Sequence, residues 1–173
     1  GAFHTPLLFE KQPDYYKPTE NRVSIYTKYP CISSYATYDA RTALCIELET
    51  EKGNLIVYGT IIGIYGNRHT NFKDDLLEQV KDFKRMSALG KPFCVIGDYN
   101  LSFSDNWYYT SFGRETLLQS FKDNHLRLLT ATQKECIDHV AITAEFVSDG
   151  EIKIREWNVD KRLSDHKGII VDF

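Results

Sequence analysis

Three short clusters in the second half of the chain combine acidic side chains with amide and imidazole groups. The clusters are Gly97-Asp98-Tyr99-Asn100, Ile137-Asp138-His139 and Leu163-Ser164-Asp165-His166. Each follows or opens an apolar run, so a fold that brings their ends to one rim of a sheet would gather three carboxylates, one amide and one imidazole. That set of groups is suited to holding a hard divalent cation and a phosphate.

The first cluster ends a short apolar run, and Gly97 lets the chain turn sharply there. The turn would present Asp98 and Asn100 two positions apart. Asp98 is suited to accept a proton from an attacking water, and Asn100 is suited to donate a hydrogen bond to a phosphoryl oxygen. Taken alone, the same residues are equally typical of a loop in which Asp and Asn cap turns.

The other two clusters supply an imidazole and the acids that act on it. Asp165 is a candidate metal ligand, and His166 as an imidazolium would stabilise the negative charge of a pentacoordinate phosphorus. An acid close to that ring holds its proton and fixes its orientation, and Asp138 is the candidate acid. His139 should point to the opposite side of an extended segment. A lone Asp-His pair on a surface would not indicate catalysis.

The totals are those of an ordinary globular domain. The 173 residues are most simply one domain spanning 1–173. Apolar residues make up 42% and charged residues 26%, and the formal charge of −3 gives no global attraction to nucleic acid or anionic membranes. No stretch approaches the ~20 apolar residues of a membrane helix, so we expect no membrane insertion. Nothing in the sequence indicates an oligomeric state.

The four cysteines show neither a CxxC pair nor a zinc-finger spacing to histidine. Cys45 and Cys94 lie inside apolar runs, which is typical of small buried thiols in a reducing compartment. We therefore expect a cytoplasmic protein.

Strands dominate the predicted elements, and two helices alternate among them. Strands are predicted at 23–27, 43–49, 55–62, 93–96, 126–130, 139–143, 152–157 and 168–173. The second and third would pair as a hairpin, and the run at 93–96 is apolar enough to be buried on both faces. The stretch up to Glu20, with three prolines, is predicted to be irregular. The set favours an α/β layered sandwich of two mixed β-sheets flanked by helices.

Two amphipathic patterns predict the helices. Apolar residues recur at three- and four-residue steps from Phe72 to Met86. The Lys and Asp residues of 73–84 are interpreted as the solvent face of this helix. The second helix is predicted over 115–123, with an inward face of Leu117, Leu118 and Phe121.

The three acidic clusters, in this order, resemble the motifs of the endonuclease/exonuclease/phosphatase superfamily of metal-dependent phosphodiesterases. Residues 22–30 are similar to that family's strand that runs into a proline, and residues 61–67 are similar to the end of its central strand. The resemblance covers most of the chain from about Arg22 to Phe173.

The resemblance implies a role for each matching residue. Asp98 would orient or deprotonate the attacking water, and Asn100 would contact phosphate. Asp138 would pair with His166, and Asp165 would help to hold Mg²⁺ or Mn²⁺.

Two departures from the family pattern concern its metal ligand and one phosphate contact. Neither an early strand carrying an Asn nor a strand ending in Gln-Glu is clear before Arg22, and Glu10 is the early acid that follows an apolar run. Its spacing to Val23 is too short for the principal metal ligand, so the pattern favours an N-terminally truncated member, the C-terminal major part of the domain. Tyr65 stands where many members place a His that reaches phosphate and others a Tyr. Simple packing at a strand end is the alternative for Tyr65.

The sequence thus predicts metal-dependent hydrolysis of phosphate esters, with phosphodiester cleavage by an activated water as the leading reaction. The missing early acid favours an alternative, a non-catalytic binding module on the same fold that has lost its metal site. A nucleic-acid-binding protein without hydrolysis would need a basic strip that the sequence does not reveal. The expected substrate is a phosphate ester, possible members of that class include nucleic acid, and loops rather than the core would set the selectivity.

Overall fold

The computed structural model describes residues 1–7, 20–147 and 151–173, which contain the following elements. The strands are β1 (Ala2–His4), β2 (Ser24–Tyr26), β3 (Cys31–Tyr35), β4 (Ala43–Thr50), β5 (Gly53–Ile61), β6 (Phe93–Asp98), β7 (Leu126–Leu128), β8 (Asp138–Thr143), β9 (Lys153–Trp157) and β10 (Gly168–Asp172). The helices are α1 (Phe72–Ser87), α2 (Ser111–Asp123) and a single 3₁₀ turn over Ala144–Phe146. Glu10, the early acid of the sequence, lies outside the described residues.

A six-stranded mixed sheet forms the centre of the molecule, in the order β3-β4-β5-β6-β8-β7. β5 and β6 are parallel, and the other neighbouring strands are antiparallel. The parallel pair requires a crossover, which α1 supplies between the two strands. Strands β4 and β5 form the predicted hairpin, with Thr50 opposite Gly53 at its tip.

The first helix begins and ends close to the predicted residues. Phe72, Leu76, Phe83 and Met86 are buried and form the apolar stripe against the sheet. Gly90 follows at a φ of +67°, a left-handed conformation that glycine adopts without steric cost. The predicted solvent face is wrong in part, because Asp82 is buried on this helix. Gln79, which that prediction did not include, is buried as well.

The second helix begins four residues before the predicted start. Thr110 caps it, because its hydroxyl accepts a hydrogen bond from the Gly113 backbone N–H at 3.1 Å. Leu117 and Phe121 are buried as predicted, whereas Leu118 is exposed, so its inward assignment was wrong. Positions 117 and 118 are adjacent, and adjacent residues on a helix do not share a face.

The remaining described strands correct the prediction of two mixed sheets. They form two separate antiparallel pairs, β1 with β2 and β9 with β10. The described connection between β9 and β10 contains no helix, which agrees with their antiparallel pairing, because a parallel pair needs a long crossover. The described residues therefore form an α/β structure with one mixed sheet, two small sheets and two long helices.

Two strands were absent from the sequence prediction. β1 lies in the stretch predicted to be irregular, and β3 follows Pro30 directly. Each of them is at the edge of its sheet and is short or largely exposed. Strands of this kind lack the apolar alternation on which the prediction relied.

The two faces of the main sheet bury different apolar clusters. Alternate residues of β6, such as Phe93 and Val95, pack with the helices on one face. Cys94 lies on the other face, in a cluster that also contacts Val171 of β10. Ile96 shares that second face but is 40% exposed, so β6 is not buried on both faces along its whole length. The four cysteines are free thiols, and three of them are buried.

None of the helices in the described residues combines the length and the apolar character that crossing a bilayer requires.

Candidate functional site

Asp98 and Asp138 face each other at one end of the main sheet. Asp98 is the last residue of β6, Asp138 is the first of β8, and the two are direct partners in the antiparallel register. Gly97 precedes Asp98 with a φ of +141°, and a Cβ atom there would lie 2.0 Å from the backbone oxygen of Thr60. Only glycine fits this position, because a side chain would collide with the backbone of β5. Contrary to the sharp turn that the sequence predicted at Gly97, the strand continues through it to Asp98.

His166 reaches Asp138 from the loop between β9 and β10. Its ring Nδ1 lies 2.8 Å from Asp138 Oδ2, so the small sheet is tied to the main sheet at this point. The hydrogen bond to Asp138 raises the pKa of His166 to about 9, with smaller contributions from the charges of Asp98 and Asp165. The ring is therefore an imidazolium at neutral pH, which is the form that the sequence predicts for a group that stabilises negative charge.

The pKa of Asp98 is raised to about 7. Burial of the carboxyl group is the largest cause, followed by the negative charge of Asp138. The backbone N–H of Asn100, which donates to Asp98 Oδ1 at 2.7 Å, and the positive charge of His166 oppose this rise. A carboxyl group that titrates near neutral pH can exchange a proton with water, as a general base must.

Asn100 lies beside Asp98 in a left-handed conformation, with a φ of +52°. Its amide Nδ2 donates to the backbone oxygens of Ile62 and Gly63 at 3.0 and 3.1 Å. Nδ2 also lies 3.2 Å from Asp98 Oδ2. Asn100 thus links the chain after β5 to Asp98, and the predicted donation to a phosphoryl oxygen would have to replace one of these bonds.

Asp165 is exposed next to His166, and its charge raises the pKa values of both Asp98 and His166. Ionised, the three carboxyl groups and the imidazolium carry a net charge of about −2, which a divalent cation would neutralise. Among the described ranges, no three His, Cys, Asp or Glu side chains form a group that could hold a metal ion. The described carboxyl groups therefore do not form a complete protein cage for a cation. Mg²⁺ does not require such a cage, because it keeps several waters and is commonly bound by one or two carboxylates.

Tyr65 lies in the loop between β5 and α1 and is 47% exposed. Its ring packs on His69, with 4.8 Å between the ring centroids. The contacts of the described residues do not include a hydrogen bond from Tyr65 to the acidic cluster. Its predicted phosphate contact stays a prediction.

His139 points away from the cluster, as the alternation of an extended segment predicts. It is buried, with Nε2 at 2.8 Å from the backbone oxygen of Leu101 and Nδ1 at 2.8 Å from the Thr130 hydroxyl. A carbonyl oxygen can only accept, so Nε2 carries the proton and Nδ1 accepts from Thr130. Burial lowers the pKa of His139 to about 4, which makes it a neutral core residue.

Sequence reasoning missed Asn67, which is buried beside the site. Its Nδ2 donates to the backbone oxygen of Asn100 at 2.7 Å. Its Oδ1 is buried without a hydrogen-bond partner. An unpaired buried acceptor is costly, so Asn67 is a position where a bound group with a donor would be favourable. The sequence did carry a signal for Asn67, because it is the last residue of the segment 61–67, which resembles the end of the central strand in the superfamily.

The sequence interpretation also missed a polar row on α1 that supports the chain after β5. Asp75 Oδ2 accepts from the Gly63 backbone N–H at 2.6 Å. Gln79 donates to the Ile61 backbone oxygen at 3.0 Å and accepts from the Thr60 hydroxyl at 2.5 Å. These bonds hold the segment whose carbonyl oxygens orient Asn100. Most of their partners are backbone atoms, which every residue has, so the sequence does not reveal them.

A cleft of about 500 Å³ opens beside Asn67. It lies between the starts of the two helices, and its lining includes three basic side chains: Arg68, His69 and Lys73. The loop after β6 carries an exposed aromatic side chain, Trp107, and Lys161 lies over its ring.

Solved structures share this architecture at low sequence identity. The endonuclease domain of TRAS1, a telomere-specific non-LTR retrotransposon, matches with a TM-score of 0.67 and 15% identity, covering 99% of this chain and 76% of the other. The 3′ phosphatase NExo from Neisseria, bound to a product DNA hairpin, matches with a TM-score of 0.62 and 12% identity over 87% and 74% of the two chains.

An endonuclease/exonuclease/phosphatase from Beutenbergia cavernae DSM 12333 matches with a TM-score of 0.60 and 16% identity over 86% of this chain. The match covers 46% of that protein, so the present chain spans less than half of its length. No family model and no curated protein matches the sequence. The likeness lies in the arrangement of the elements, and the protein has the endonuclease/exonuclease/phosphatase fold.

Proposed function

We propose that this protein hydrolyses phosphate esters, with phosphodiester cleavage by an activated water as its reaction. The observation that carries the proposal is the pairing of a base and an acid in one cluster. Asp98 has a pKa raised to about 7, and His166 has a pKa raised to about 9. Two groups whose environments give them different protonation states at neutral pH are suited to opposite halves of one proton-transfer reaction.

Asp98 takes the proton of the attacking water in this reaction. Its carboxyl group is part ionised near neutral pH, and the Asn100 backbone N–H fixes one of its oxygens. His166 presents its Nε2–H to the phosphoryl oxygens, because Nδ1 is engaged by Asp138. The imidazolium offsets the negative charge that builds up on these oxygens as the water attacks.

Mg²⁺ or Mn²⁺ is the proposed cofactor, and Asp165 is the proposed ligand. When bound, the cation would act as a Lewis acid on a phosphoryl oxygen. Asp165 suits this role because it provides hard oxygen donors in a cluster with excess negative charge. The remaining positions would be filled by water and substrate, since Mg²⁺ retains several waters in most protein sites.

Nucleic acid is the proposed substrate class. The basic cleft lined by Arg68, His69 and Lys73 adjoins Asn67, which is bonded to Asn100 of the cluster. Two proteins of similar fold support this choice by description, an endonuclease domain and a phosphatase bound to product DNA. Basic side chains along a cleft attract a phosphate backbone without reading its sequence.

The test compares hydrolysis by the protein and by its His166→Ala variant. The substrates are a fluorescently labelled DNA duplex, a labelled single strand and bis(p-nitrophenyl) phosphate, each with Mg²⁺, with Mn²⁺ and with EDTA. We expect cation-dependent cleavage by the protein and a loss of ~10²-fold or more in kcat for the variant, the scale for removing one charge-stabilising donor.

His125→Asn is the matched control. His125 precedes β7, whose Leu126 pairs with Thr143 at the far end of β8 from Asp138. Its φ of +54° is one that Asn tolerates, so this variant should cleave at the unaltered rate. Equal rates for all three proteins would remove His166 from the mechanism.

A non-catalytic binding module is the second candidate, and the lack of a three-ligand metal group in the described residues favours it. Calorimetric titration of Mg²⁺ or Mn²⁺ separates the two functions. A module without a metal site would show no saturable binding and no hydrolysis of any of the three substrates, and this combined result would overturn the proposed activity.

A further inference from the structure

The loop between β9 and β10 carries both Asp165 and His166, yet apolar packing does not hold it in place. Val159 is 61% exposed and Leu163 is 80% exposed. A loop without buried apolar side chains must be ordered by polar contacts, because ordering its backbone has an entropic cost that burial does not offset here.

Asn158 supplies these polar contacts from the end of β9. Its Nδ2 donates to the backbone oxygens of Ser164 at 2.9 Å and of His166 at 2.7 Å. Its Oδ1 accepts from the backbone N–H of Leu163 at 2.9 Å. One amide group therefore closes the loop and fixes the backbone on both sides of Asp165.

The backbone of Asn158 itself is adapted to this position. Its φ is +54°, in the left-handed region that Asn enters more readily than most residues. Its carbonyl oxygen accepts from the Lys161 backbone N–H at 2.9 Å, which starts the turn of the loop. The same residue thus begins the loop and binds its far end.

Two neighbouring contacts do not replace this role. The Ser164 hydroxyl accepts from the His166 backbone N–H at 3.2 Å, which is a bond within the loop. Lys167 is anchored by Glu156 at 3.0 Å, which fixes the start of β10. Neither contact joins the loop segment before Asp165 to the end of β9.

We propose that Asn158 is a positioning residue for His166 and Asp165. Its three hydrogen bonds set the direction from which the imidazole approaches Asp138 and keep the Asp165 carboxyl group beside it. The inference rests on the proposed hydrolysis for its catalytic consequence, but the positioning itself is a structural property that can be measured without any substrate.

The test uses Asn158→Gly, because glycine keeps the left-handed backbone and removes the three side-chain bonds. We expect the ring cross peaks of His166 and the backbone amide peaks of Asp165 and His166 to shift and broaden in NMR spectra. In phosphodiester hydrolysis, kcat should fall ~10- to 100-fold with KM changed little, since a small misplacement of a reacting group is costly.

Asn124→Gly is the matched control, because it also removes an amide that bonds a backbone oxygen. Asn124 follows α2 and donates to the Ser120 backbone oxygen at 2.8 Å, away from the loop. This variant should leave the His166 peaks and kcat unaltered. If Asn158→Gly does not fold, Asn158→Asp serves instead, since it keeps the size and the acceptor but loses both donated bonds.

Two outcomes are decisive. His166 and Asp165 peaks in Asn158→Gly that coincide with those of the unaltered protein would overturn the positioning role. Shifted peaks in a protein whose unaltered form hydrolyses no phosphate ester would support the positioning role and reject the proposed function, so the two failures are distinguishable.

Discussion

Asp138 acts on both titrating groups of the site. It accepts the hydrogen bond that raises the pKa of His166 to about 9. Its charge is also the largest cause after burial that raises the pKa of Asp98 to about 7. One carboxylate thus moves the pKa values of His166 and Asp98 in the same direction. For the proposed activity, it therefore sets the position of the active pH range more than the width of that range.

Asp138→Asn should therefore shift the whole pH profile of hydrolysis. Loss of the negative charge lowers the pKa of His166 toward its ordinary value of 6.5 and lowers the pKa of Asp98 as well. The proposed activity needs Asp98 ionised and His166 protonated, so both limbs of the kcat–pH curve should move to lower pH. The measurement is kcat between pH 5 and 10; an unmoved profile would make Asp138 merely structural.

The acids and the imidazole were predictable because each stands shortly before or after an apolar run. Asp98, Asp138 and His166 meet as the order of their motifs suggests. The supporting amides were not predictable. Asn67 and Asn158 bond to backbone carbonyl oxygens, and such partners exist at every position of a sequence.

At the scale of elements, α1 does more than cover the sheet. It carries a polar row, Asp75, Gln79 and Asp82, on the side that faces β5 and its neighbours. Asp82 accepts from the Tyr58 hydroxyl at 2.9 Å and from the Tyr38 backbone N–H at 2.6 Å. The helix thus fixes the strand whose end leads into the site through side-chain hydrogen bonds as well as apolar contact.

Gln79→Leu should destabilise the fold by about 1–3 kcal/mol or more, because it leaves the Thr60 hydroxyl and the Ile61 backbone oxygen without their amide partner. Gln119→Leu on α2 is the control: the same replacement at an exposed position should change stability by less than about 0.5 kcal/mol. Denaturant unfolding monitored by circular dichroism measures both, and equal midpoints would show that the buried amide is dispensable.

The polar row explains why the sequence interpretation of this helix was incomplete. Apolar residues at helical spacing identify Leu76 and Phe83 as buried, but the pattern treats every Asp and Gln as solvent-facing. Gln79 lies between these two residues on the buried side and is fully buried. Its burial follows from the Thr60 hydroxyl opposite, which only the assembled sheet provides.

At the scale of the whole molecule, His139 makes folding sensitive to acid. The unfolded chain protonates this ring below its ordinary pKa of 6.5, whereas the folded protein does so only near pH 4. The unfolded state therefore binds more protons in this interval, and the stability of the fold decreases as pH falls from 6.5 toward 4.

His139→Gln should remove this part of the acid sensitivity. The variant loses packing at pH 7, but the gap between its unfolding free energy and that of the unaltered protein should narrow by about 3 kcal/mol between pH 7 and pH 4. Urea unfolding at several pH values measures the gap. A gap that stays constant with pH would show that the pKa of His139 is the same in the folded and unfolded protein.

The α/β class, the β4–β5 hairpin and the α1 crossover were accessible from the sequence, because long amphipathic patterns determine them. The division of the outer strands into two small sheets could not be predicted from the sequence. Pairing between strands depends on which edges are left open after the main sheet has formed, and local patterns carry little information on that choice.

The link between His166 and Asp138 also has a consequence for biosynthesis. A ribosome completes both facing carboxylates, on β6 and β8, before it adds the imidazole that follows β9. In a nascent chain that ends before residue 166, the carboxyl groups of Asp98 and Asp138 therefore face each other without the imidazolium of His166. The finished hairpin of β9 and β10 relieves this repulsion, so the segment that completes the proposed chemistry also stabilises the sheet that was translated before it.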